Sequence, residues 1–419
     1  MATSGLKFAG DVQIREVQLN SLNGTAANVT NQVSMIEIYE DMFSPFTTMT
    51  IVLRESVDYI NIFPFVGEEF VDIDIVTPSL NVPIKGRFYV YKITDREYTK
   101  EREVVYALKC ISSDFLVDAN KKISKTYDGK VNELAFSIIG KNGLATTKKV
   151  NIEPTSNSTK FVANFWSPVK CLNHLCENAL SVNYSPSYLF YENRDGLNFR
   201  SINEILKSQP SHKFVKDNYT RTTLASGAST KDPQEDFKRI LDISVPVLTD
   251  YMNDIQSGRI KSRLITHDIT TKKYTVKDYS IKKDPKPDTL LNPNPAYSKY
   301  TIANAQSAQM LMPKYYGNFN NYGDTTSFKF QQKRISFFQN LSKYKVNLQV
   351  YGRTDYTVGR IIDLYLPKAT QITKDDQDPR DKILSGKYLI SAISHTITRE
   401  NHTCNMEIVK NSVLVNLSA

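Results

Sequence analysis

The strand pattern near the C-terminal end constrains the fold more than any other feature. Between Gly386 and Thr398 the side chains alternate between two faces, as a half-buried β-strand requires. A second strand follows at Thr403–Val409, so residues 399–402 form the tip of a hairpin. The segments before it are predicted as one helix and two more strands, at Gln331–Lys345, Val346–Gln349 and Ile361–Leu366. Residues 331–419 are therefore predicted to form a helix and a small antiparallel β-barrel, and none of these residues indicates chemistry.

Residues 1–115 are predicted as strands almost throughout. Five β-branched or aromatic segments are separated by turn formers: Val33–Tyr39, Thr48–Leu53, Phe70–Val76, Arg87–Ile93 and Glu103–Ile111. Strands are predicted to resume between Glu235 and Lys277, with a turn at Gly258 between Val245–Ile255 and Ile260–His267. Repeated short strands at this spacing favour a barrel or a sandwich. We assign residues 1–115 and 236–281 together to a first β-barrel.

Residues 116–235 have a mixed character and are predicted as an inserted α/β domain. A helix is expected at 131–139, where Gly140 ends it. Ser167 and Pro168 suit the N-cap and first position of a second helix. A strand at Tyr188–Tyr191 precedes a tight turn, and Ser201 with Glu204 predicts a capping box.

Residues 282–330 are rich in proline and asparagine and are predicted as an extended connector. The fold class is therefore mainly β with an α+β insert. It comprises two antiparallel β-barrel domains, the inserted mixed domain and the connector.

The helix at 331–345 is predicted to hold the second barrel at a fixed angle. Ile335, Phe338 and Leu341 fall near one face, which we expect to be buried. Lys333 falls away from that face and is expected to tolerate replacement by alanine.

Length, charge and cysteine content limit the class of protein. A chain of 419 residues is too long for one core, and no run of 18 apolar residues predicts a membrane span. The start lacks the pattern of a signal peptide, and four scattered cysteines suit reduced cytoplasmic thiols. Residues 1–80 carry a net charge of −8, which leaves +17 on the remainder. Such asymmetry suits a protein whose two ends face different neighbours.

No catalytic, cofactor-binding or metal-ligating residue is predicted. Cys171, His174 and Cys176 share one predicted helix, but Cys176 points away from Cys171 and no second ligand pair has matching spacing. The acidic loop from Asp375 to Asp381 lacks the central glycine and distal glutamate of an EF-hand, so a solvated loop is favoured. Phosphate-loop, nucleophile-elbow and zinc-protease motifs do not occur, and the five histidines are far apart in sequence. An enzyme is not expected.

The order of elements resembles the baseplate hub protein of contractile-tailed bacteriophages, a family related to the hubs of contractile injection systems and type VI secretion spikes. The local match is best at residues 331–367, in the segments Val346–Gly352 and Val358–Leu364, and continues at Gly386–His395. Residues 165–168 and 189–199 look like the inserted domain of the family.

The resemblance implies a structural role in the virion. Two tail-tube-like barrels per chain would make a homotrimer a ring of six barrels, which adapts the threefold central spike to the sixfold tail tube. The implied partners are a separate spike protein, the tail tube or tube-initiator protein, the C-terminus of the tape-measure protein and the surrounding wedge proteins. DNA would pass through the channel without sequence-specific binding or membrane insertion, and the implied location is the tail baseplate, assembled in the host cytoplasm.

A second function class stays open at this point. The basic remainder of the chain would also suit a nucleic-acid-binding or carbohydrate-binding β-barrel protein, although its lysines and arginines are diffuse. DNA binding with a steep salt dependence that persists after assembly would favour this alternative.

Overall fold

A sheet of thirteen strands dominates the computed structural model, which describes residues 5–57, 59–62, 67, 69–100, 103–216, 233–268, 272–314, 329–369 and 378–418. Its N-terminal members are β1 Gln13–Asn20, β2 Ala26–Asn28, β3 Val33–Asp41, β4 Thr48–Glu55, β5 Phe70–Val76, β6 Ile84–Lys100 and β7 Glu103–Ser112. Helices α1 Tyr59–Ile62 and α2 Ser113–Asn120 lie between and after them. The strands are antiparallel in the order β3-β4-β7-β6-β5-β1-β2.

The alternation read from the sequence sets the two faces of these strands. In β5, Val71, Ile73 and Ile75 are buried in the N-terminal core, the apolar cluster formed by this strand set. Asp72 lies on the outer face, where its carboxylate is 2.8 Å from the guanidinium of Arg87 on β6. The five strands predicted in this region are confirmed.

The insert has a core of its own. Its elements are β8 Ile123–Lys130, α3 Val131–Ile139, β9 Val150–Ile152, β10 Ser158–Trp166, α4 Pro168–Asn178, β11 Tyr188–Asn193, β12 Gly196–Ser201 and α5 Ile202–Ile205. They form the pair β10-β8 and the three-stranded sheet β11-β12-β9. Helices α3 and α4 bury their apolar faces against these strands. The Ser167 cap is confirmed, since the Lys170 amide donates to its hydroxyl at 3.3 Å.

The capping box predicted at Ser201 is wrong. The hydroxyl of Ser201 is fully buried and hydrogen-bonds the hydroxyl of Ser187 at 2.9 Å, so it does not cap the helix. Glu204 instead accepts from Lys207 and from Asn183. The partner, Ser187, directly precedes β11 and is fourteen residues away in the chain, so the local sequence pattern did not reveal it.

The remaining elements complete the large sheet and build a smaller one. They are β13 His212–Val215, α6 Pro233–Asp236, β14 Ile240–Ser244, α7 Tyr251–Gln256, β15 Lys261–Asp268, β16 Lys273–Ser280, the 3-10 turn Ile281–Lys283, β17 Asn294–Pro295, α8 Lys299–Asn304, β18 Ala308–Lys314, α9 Gln331–Leu341, β19 Tyr344–Tyr351, β20 Ile361–Tyr365, β21 Gly386–Thr398, β22 His402–Lys410 and β23 Ser412–Val413. The C-terminal helix and strands are thus confirmed, although the helix ends at Leu341 and Tyr344 and Lys345, predicted as helical, belong to β19. None of the helices in the described ranges is long and apolar enough to cross a bilayer.

The strands of residues 236–281 pair differently from the prediction. β14 is hydrogen-bonded to β19, within the C-terminal strand set, and not to the N-terminal strands. β15 and β16 form a separate sheet with β18, in the order β16-β15-β18. The hydrophobic pattern identified strands here but could not assign their partners. Alternation shows which face of a strand is buried, and not which strand lies beside it.

Two local assignments in this region are also wrong. Residues 245–255 were expected as a strand, yet 251–256 form α7, where Asp250 accepts from the Asn253 amide at 2.9 Å. The connector 282–330 is not simply extended, since it contains α8 and the strand β18, and β18 pairs in parallel with β15. The side chain of Asp250 caps α7, which the sequence pattern did not predict. Pairing with β15 makes residues 308–314 a strand despite the prolines and asparagines of the connector.

One strand joins the two strand sets into a continuous sheet. β21 pairs with β22 and β20 on its own side and with β3 of the N-terminal set, from Ala392 opposite Asp41 to Thr398 opposite Met35. Ile393 packs in the C-terminal core, the apolar cluster around β19 to β22, whereas Ile397 packs in the N-terminal core. The strand therefore contributes side chains to both cores.

Helix α9 buries Leu341, as predicted, but its inner face is otherwise different from the predicted one. Phe337 and Leu341 lie in the C-terminal core, while Phe338 is only partly buried and packs edge-on against Phe43 at 6.2 Å. Lys333, expected to be exposed, is buried. The helix presents polar side chains to the connector as well as apolar ones to the strands, so apolar spacing alone misplaced its inner face.

The ammonium of Lys333 is buried between two carboxylates. Its Nζ lies 3.1 Å from Asp284 and 3.8 Å from Asp288, and both acids are themselves largely shielded from water. It also donates to the carbonyl of Lys286. This pairing attaches the helix to the connector.

Lys333→Ala should lower the free energy of unfolding by about 3–5 kcal/mol, because it leaves two buried carboxylates without their cation. Urea unfolding followed by circular dichroism measures the change. Lys141→Ala, at an exposed turn, is the matched control and should be neutral. Equal, small effects of both substitutions would contradict the placement of this helix.

Candidate functional site

The loop between β19 and β20 lies where the three parts of the chain meet. The Thr354 amide donates to Thr77 Oγ1 at 3.0 Å, and the Thr77 amide returns a bond to Thr354 Oγ1 at 3.2 Å. From the insert, Asn193 Nδ2 donates to the carbonyl of Val358 at 3.2 Å, and the Arg194 guanidinium donates to the carbonyl of Thr354. The loop thus links the C-terminal strands to the N-terminal sheet and to the insert.

Glu40 is the buried acid of this junction. It projects from β3, and its Oε2 accepts from Thr357 Oγ1 at 2.6 Å and from the Val358 amide at 3.2 Å. Burial raises the pKa of Glu40 to about 7, although the two hydrogen bonds and the nearby Arg194 oppose the shift. The carboxyl group can therefore change its charge near neutral pH.

A second buried ion cluster joins the insert to the N-terminal sheet. Lys148 Nζ lies 2.9 Å from the carboxylate of Asp114 and also contacts Glu192. The second oxygen of Glu192 accepts from the Thr47 amide at 3.2 Å, next to β4. These contacts join the insert to the N-terminal strands. The position of each charged group is explained by its partner within the chain.

A cluster of potential metal ligands lies at the same end of the sheet. Across the β21–β22 hairpin, His395 Nδ1 is 3.0 Å from His402 Nε2, and Cys404 Sγ is 3.2 Å and 3.5 Å from these two nitrogens. All three side chains are fully buried. This is the one group of three or more His, Cys, Asp or Glu ligands among the residues that the structure describes. No site residue was predicted from sequence, and treating the histidines as far apart overlooked that hairpin pairing places His395 opposite Cys404.

The candidates considered from sequence are not brought together as ligands. Cys171 and Cys176 are buried in the insert core, and burial raises the pKa of their thiols to about 11 and about 12. His174 packs against the rings of Phe161 and Trp166, at 4.7 and 5.3 Å between centroids. In the acidic loop, residues 370–377 lie outside the described ranges, and Asp378 pairs with Arg380 at 2.9 Å.

The outer face of the large sheet is polar where the two strand sets meet. Exposed or partly exposed polar side chains follow one another across five strands: Asp242, Ser244, Asn347, Gln349, Asn405, Glu407, Ser394 and Glu37. The cation that lies among them, Lys345, is paired with Glu407 at 2.7 Å. This polar sheet face carries a slight excess of negative charge.

The small sheet has an apolar outer row. Val276, Ile265 and Leu311 lie side by side across β16, β15 and β18, and Tyr274 follows on the same face. Leu311 is 78% exposed and Tyr274 is 72% exposed, although both are large and apolar. Such an exposed row is typical of a surface that contacts another protein.

A basic groove of about 980 Å³ runs beside this sheet. Seven cations and two acids line it: Lys261, Arg263, Lys277, Lys282, Lys283, Lys329, Lys333, Asp278 and Asp284. Arg263 is paired with Asp278 at 2.7 Å, and Lys333 is held by Asp284. Burial lowers the pKa of Lys277, and the nearby Lys329 contributes to the shift. The groove can attract an anion, but part of its charge is already neutralised.

Glu40→Gln should remove part of the pH dependence of stability. The folded-state pKa of about 7 lies above the value of 4.5 for a free glutamate, so the folded chain holds a proton that the unfolded chain releases. The stabilising contribution is complete below pH 4.5 and is lost as the pH rises through 7. Between pH 5 and 8, the melting temperature should fall less steeply with rising pH for Glu40→Gln than for the wild type. Parallel curves would show that Glu40 ionises normally.

Comparison with known proteins identifies similar proteins from bacteriophages and prophages. No protein-family model matches the chain. The probable baseplate hub protein gp334 of Vibrio phage KVP40 is 23% identical over 273 residues. The match covers 60% of this chain and 59% of that protein, so the chain spans less than two thirds of the length of this curated relative.

Solved structures share the fold over nearly the whole chain. The 43 kDa tail protein of prophage MuSo2 from Shewanella oneidensis has a TM-score of 0.56 at 8% identity, with 95% of this chain and 98% of that chain covered. A tail protein from Neisseria meningitidis gives 0.56 at 11% identity, covering 94% and 96%. The prophage tail protein gp18 from Listeria monocytogenes gives 0.51 at 9% identity, covering 95% of both. The chain is therefore similar in sequence to a baseplate hub protein and has the fold of phage tail proteins, which confirms the resemblance indicated by its sequence.

Proposed function

We propose that the protein is the structural baseplate hub of a contractile phage tail and forms a homotrimeric ring. The observation that carries the proposal is the pairing of β21 with β3. It places two strand sets, each with its own core, edge to edge in one sheet, as two neighbouring units of a ring would lie. With each set acting as a tail-tube-like barrel, three chains provide six units between a threefold spike and a sixfold tube.

The two edge strands of the large sheet support a ring of identical chains. In the described residues the path runs from β14 to β2, and each of these outer strands pairs on one side only. A head-to-tail contact between such different edges closes into a ring when the rotation is threefold. The net charge of −8 on residues 1–80, against +17 on the rest, favours the acidic end of one copy beside the basic part of the next.

The polar sheet face suits the lining of a channel for genome passage. Neutral side chains dominate it, and its three acids, Asp242, Glu407 and Glu37, outnumber Lys345, so it would repel the DNA backbone weakly and offer few sites for tight binding. DNA would then pass without sequence-specific contacts. Groups that hold DNA at one point would slow its release.

The partners follow from this location in the virion baseplate. The ring would contact the central spike protein on one side and the tail tube or its initiator on the other. It would also meet the C-terminus of the tape-measure protein and the surrounding wedge proteins. We propose no enzymatic role, because the buried acids described above are engaged in holding the three parts of the chain together.

The basic groove favours one alternative, a nucleic-acid-binding or carbohydrate-binding β-barrel protein. Its cations surround a concave surface large enough for a segment of phosphate backbone. Two of them are committed to the acids of the groove itself, which weakens this reading.

Leu311→Asp should abolish trimer formation while leaving the chain folded, because the exposed apolar row would contact a neighbouring copy. Light scattering coupled to gel filtration should show wild-type particles near three times 47.7 kDa and the variant as a monomer. Val182→Asp, at another exposed apolar residue, is the control and should assemble. Negative-stain images of the wild type should show a ring with a central hole. Wild-type chains that stay monomeric together with spike and tube proteins would refute the proposal.

Duplex DNA should bind the trimer only at low salt. Under the hub proposal, fluorescence anisotropy should show this binding vanishing near physiological ionic strength, since surface charges are then screened. Lys282→Glu should weaken the low-salt binding without affecting ring assembly. Binding with a steep salt slope that persists in the assembled ring would support the alternative instead.

A further inference from the structure

We propose that His395, His402 and Cys404 bind a zinc ion inside the β21–β22 hairpin. The three ligand atoms face one another in a closed triangle, with edges of 3.0, 3.2 and 3.5 Å. With metal–nitrogen bonds of about 2.0–2.1 Å and a metal–sulfur bond of about 2.3 Å, tetrahedral geometry gives edges of about 3.3 Å and about 3.6 Å. Movements of a few tenths of an ångström would therefore admit the ion.

The chemistry of the donors suits zinc. Imidazole nitrogen and thiolate sulfur are its usual protein ligands, and a site with three protein ligands leaves one coordination position open. Among the described residues no fourth Cys, His, Asp or Glu joins the group. On binding, the thiol of Cys404 would release its proton to solvent, and both imidazoles would bind as neutral rings. No electron transfer is involved.

Hydrogen bonding alone leaves the cluster incomplete. One N–H can bridge the two imidazoles, and one S–H can reach a nitrogen, but His402 Nδ1 is buried with no hydrogen-bond partner. Burying such a group without compensation costs about 1–3 kcal/mol. Binding through Nε2 would fix the ring proton on Nδ1, so the zinc–nitrogen bond would have to exceed this cost.

The surroundings hold the ligands in place. The rings of His395 and His402 pack against each other, with 5.2 Å between their centroids, and both are shielded from water. Such packing limits the orientations that the two imidazoles can take.

The backbone around His402 is packed tightly against its ring. A Cβ added at Gly352 would lie 2.2 Å from His402 Cδ2, so only glycine fits there. The Gly352 amide donates to the His402 carbonyl, and the His402 amide donates to the Gly10 carbonyl, both at 2.8 Å. A metal here would cross-link the two strands of the hairpin, and the backbone bond to Gly10 already joins that hairpin to the start of the chain.

Metal analysis of the full-length protein tests the proposal. The protein is produced in zinc-supplemented medium and purified without a chelator. Inductively coupled plasma mass spectrometry should then show one zinc ion per chain. Cys404→Ser should carry almost none. Cys176→Ser removes a buried thiol in the insert, outside the cluster, and should retain the zinc.

Two further measurements on the wild type keep the test independent of how the variants fold. A strong chelator should lower its melting temperature, because a ligand that binds only the folded chain stabilises it. Refolding with Co²⁺ in place of Zn²⁺ should produce the near-ultraviolet absorption of a thiolate–cobalt bond. Wild-type protein without zinc and without that absorption would overturn the proposal, and one copper or iron ion per chain would overturn the assignment to zinc.

Discussion

The antiparallel pairing of β21 with β3 is the constraint on which the rest of the structure depends. It joins Ala392 to Asp41 and Thr398 to Met35, residues from opposite ends of the chain. A shift of one residue would turn Ile393 out of the C-terminal core and Ile397 out of the N-terminal core, because side chains alternate along a strand. The register of this single pair therefore fixes how the two cores are placed relative to each other.

Buried polar contacts then fix the insert and the long loop on that frame. Glu40 lies on β3 beside the shared strand and binds Thr357 and Val358, while Arg194 of the insert reaches the same loop. Burying charged groups contributes little net stability, but breaking such a contact is costly. We interpret these contacts as selecting one arrangement of the three parts, since apolar packing alone would tolerate several.

The sequence predicted elements much better than it predicted their partners. The strands of residues 1–115, helix α4 with its Ser167 cap and the closing hairpin depend on local periodicity and caps, and they were found. The pairing of β14 with β19 and the burial of Lys333 depend on residues far away in the chain, and they were missed. The ligand cluster lies between these cases. The predicted tip of residues 399–402 pairs Thr398 with Thr403 and so puts His395 opposite Met406. In the structure the last strand begins at His402, which brings His395 opposite Cys404.

The proposed function makes opposite demands on the two faces of the same strands. In β22, Asn405 points to the polar face that would line a channel, while its neighbours Cys404 and Met406 are buried in the core. Because the period is two, a slip in register would present core side chains to the passing DNA and bury polar ones. A hub must therefore hold this hairpin in one register throughout ejection. The backbone contacts of Gly10 and Gly352 with His402, close to the tip, supply such a restraint within a single chain.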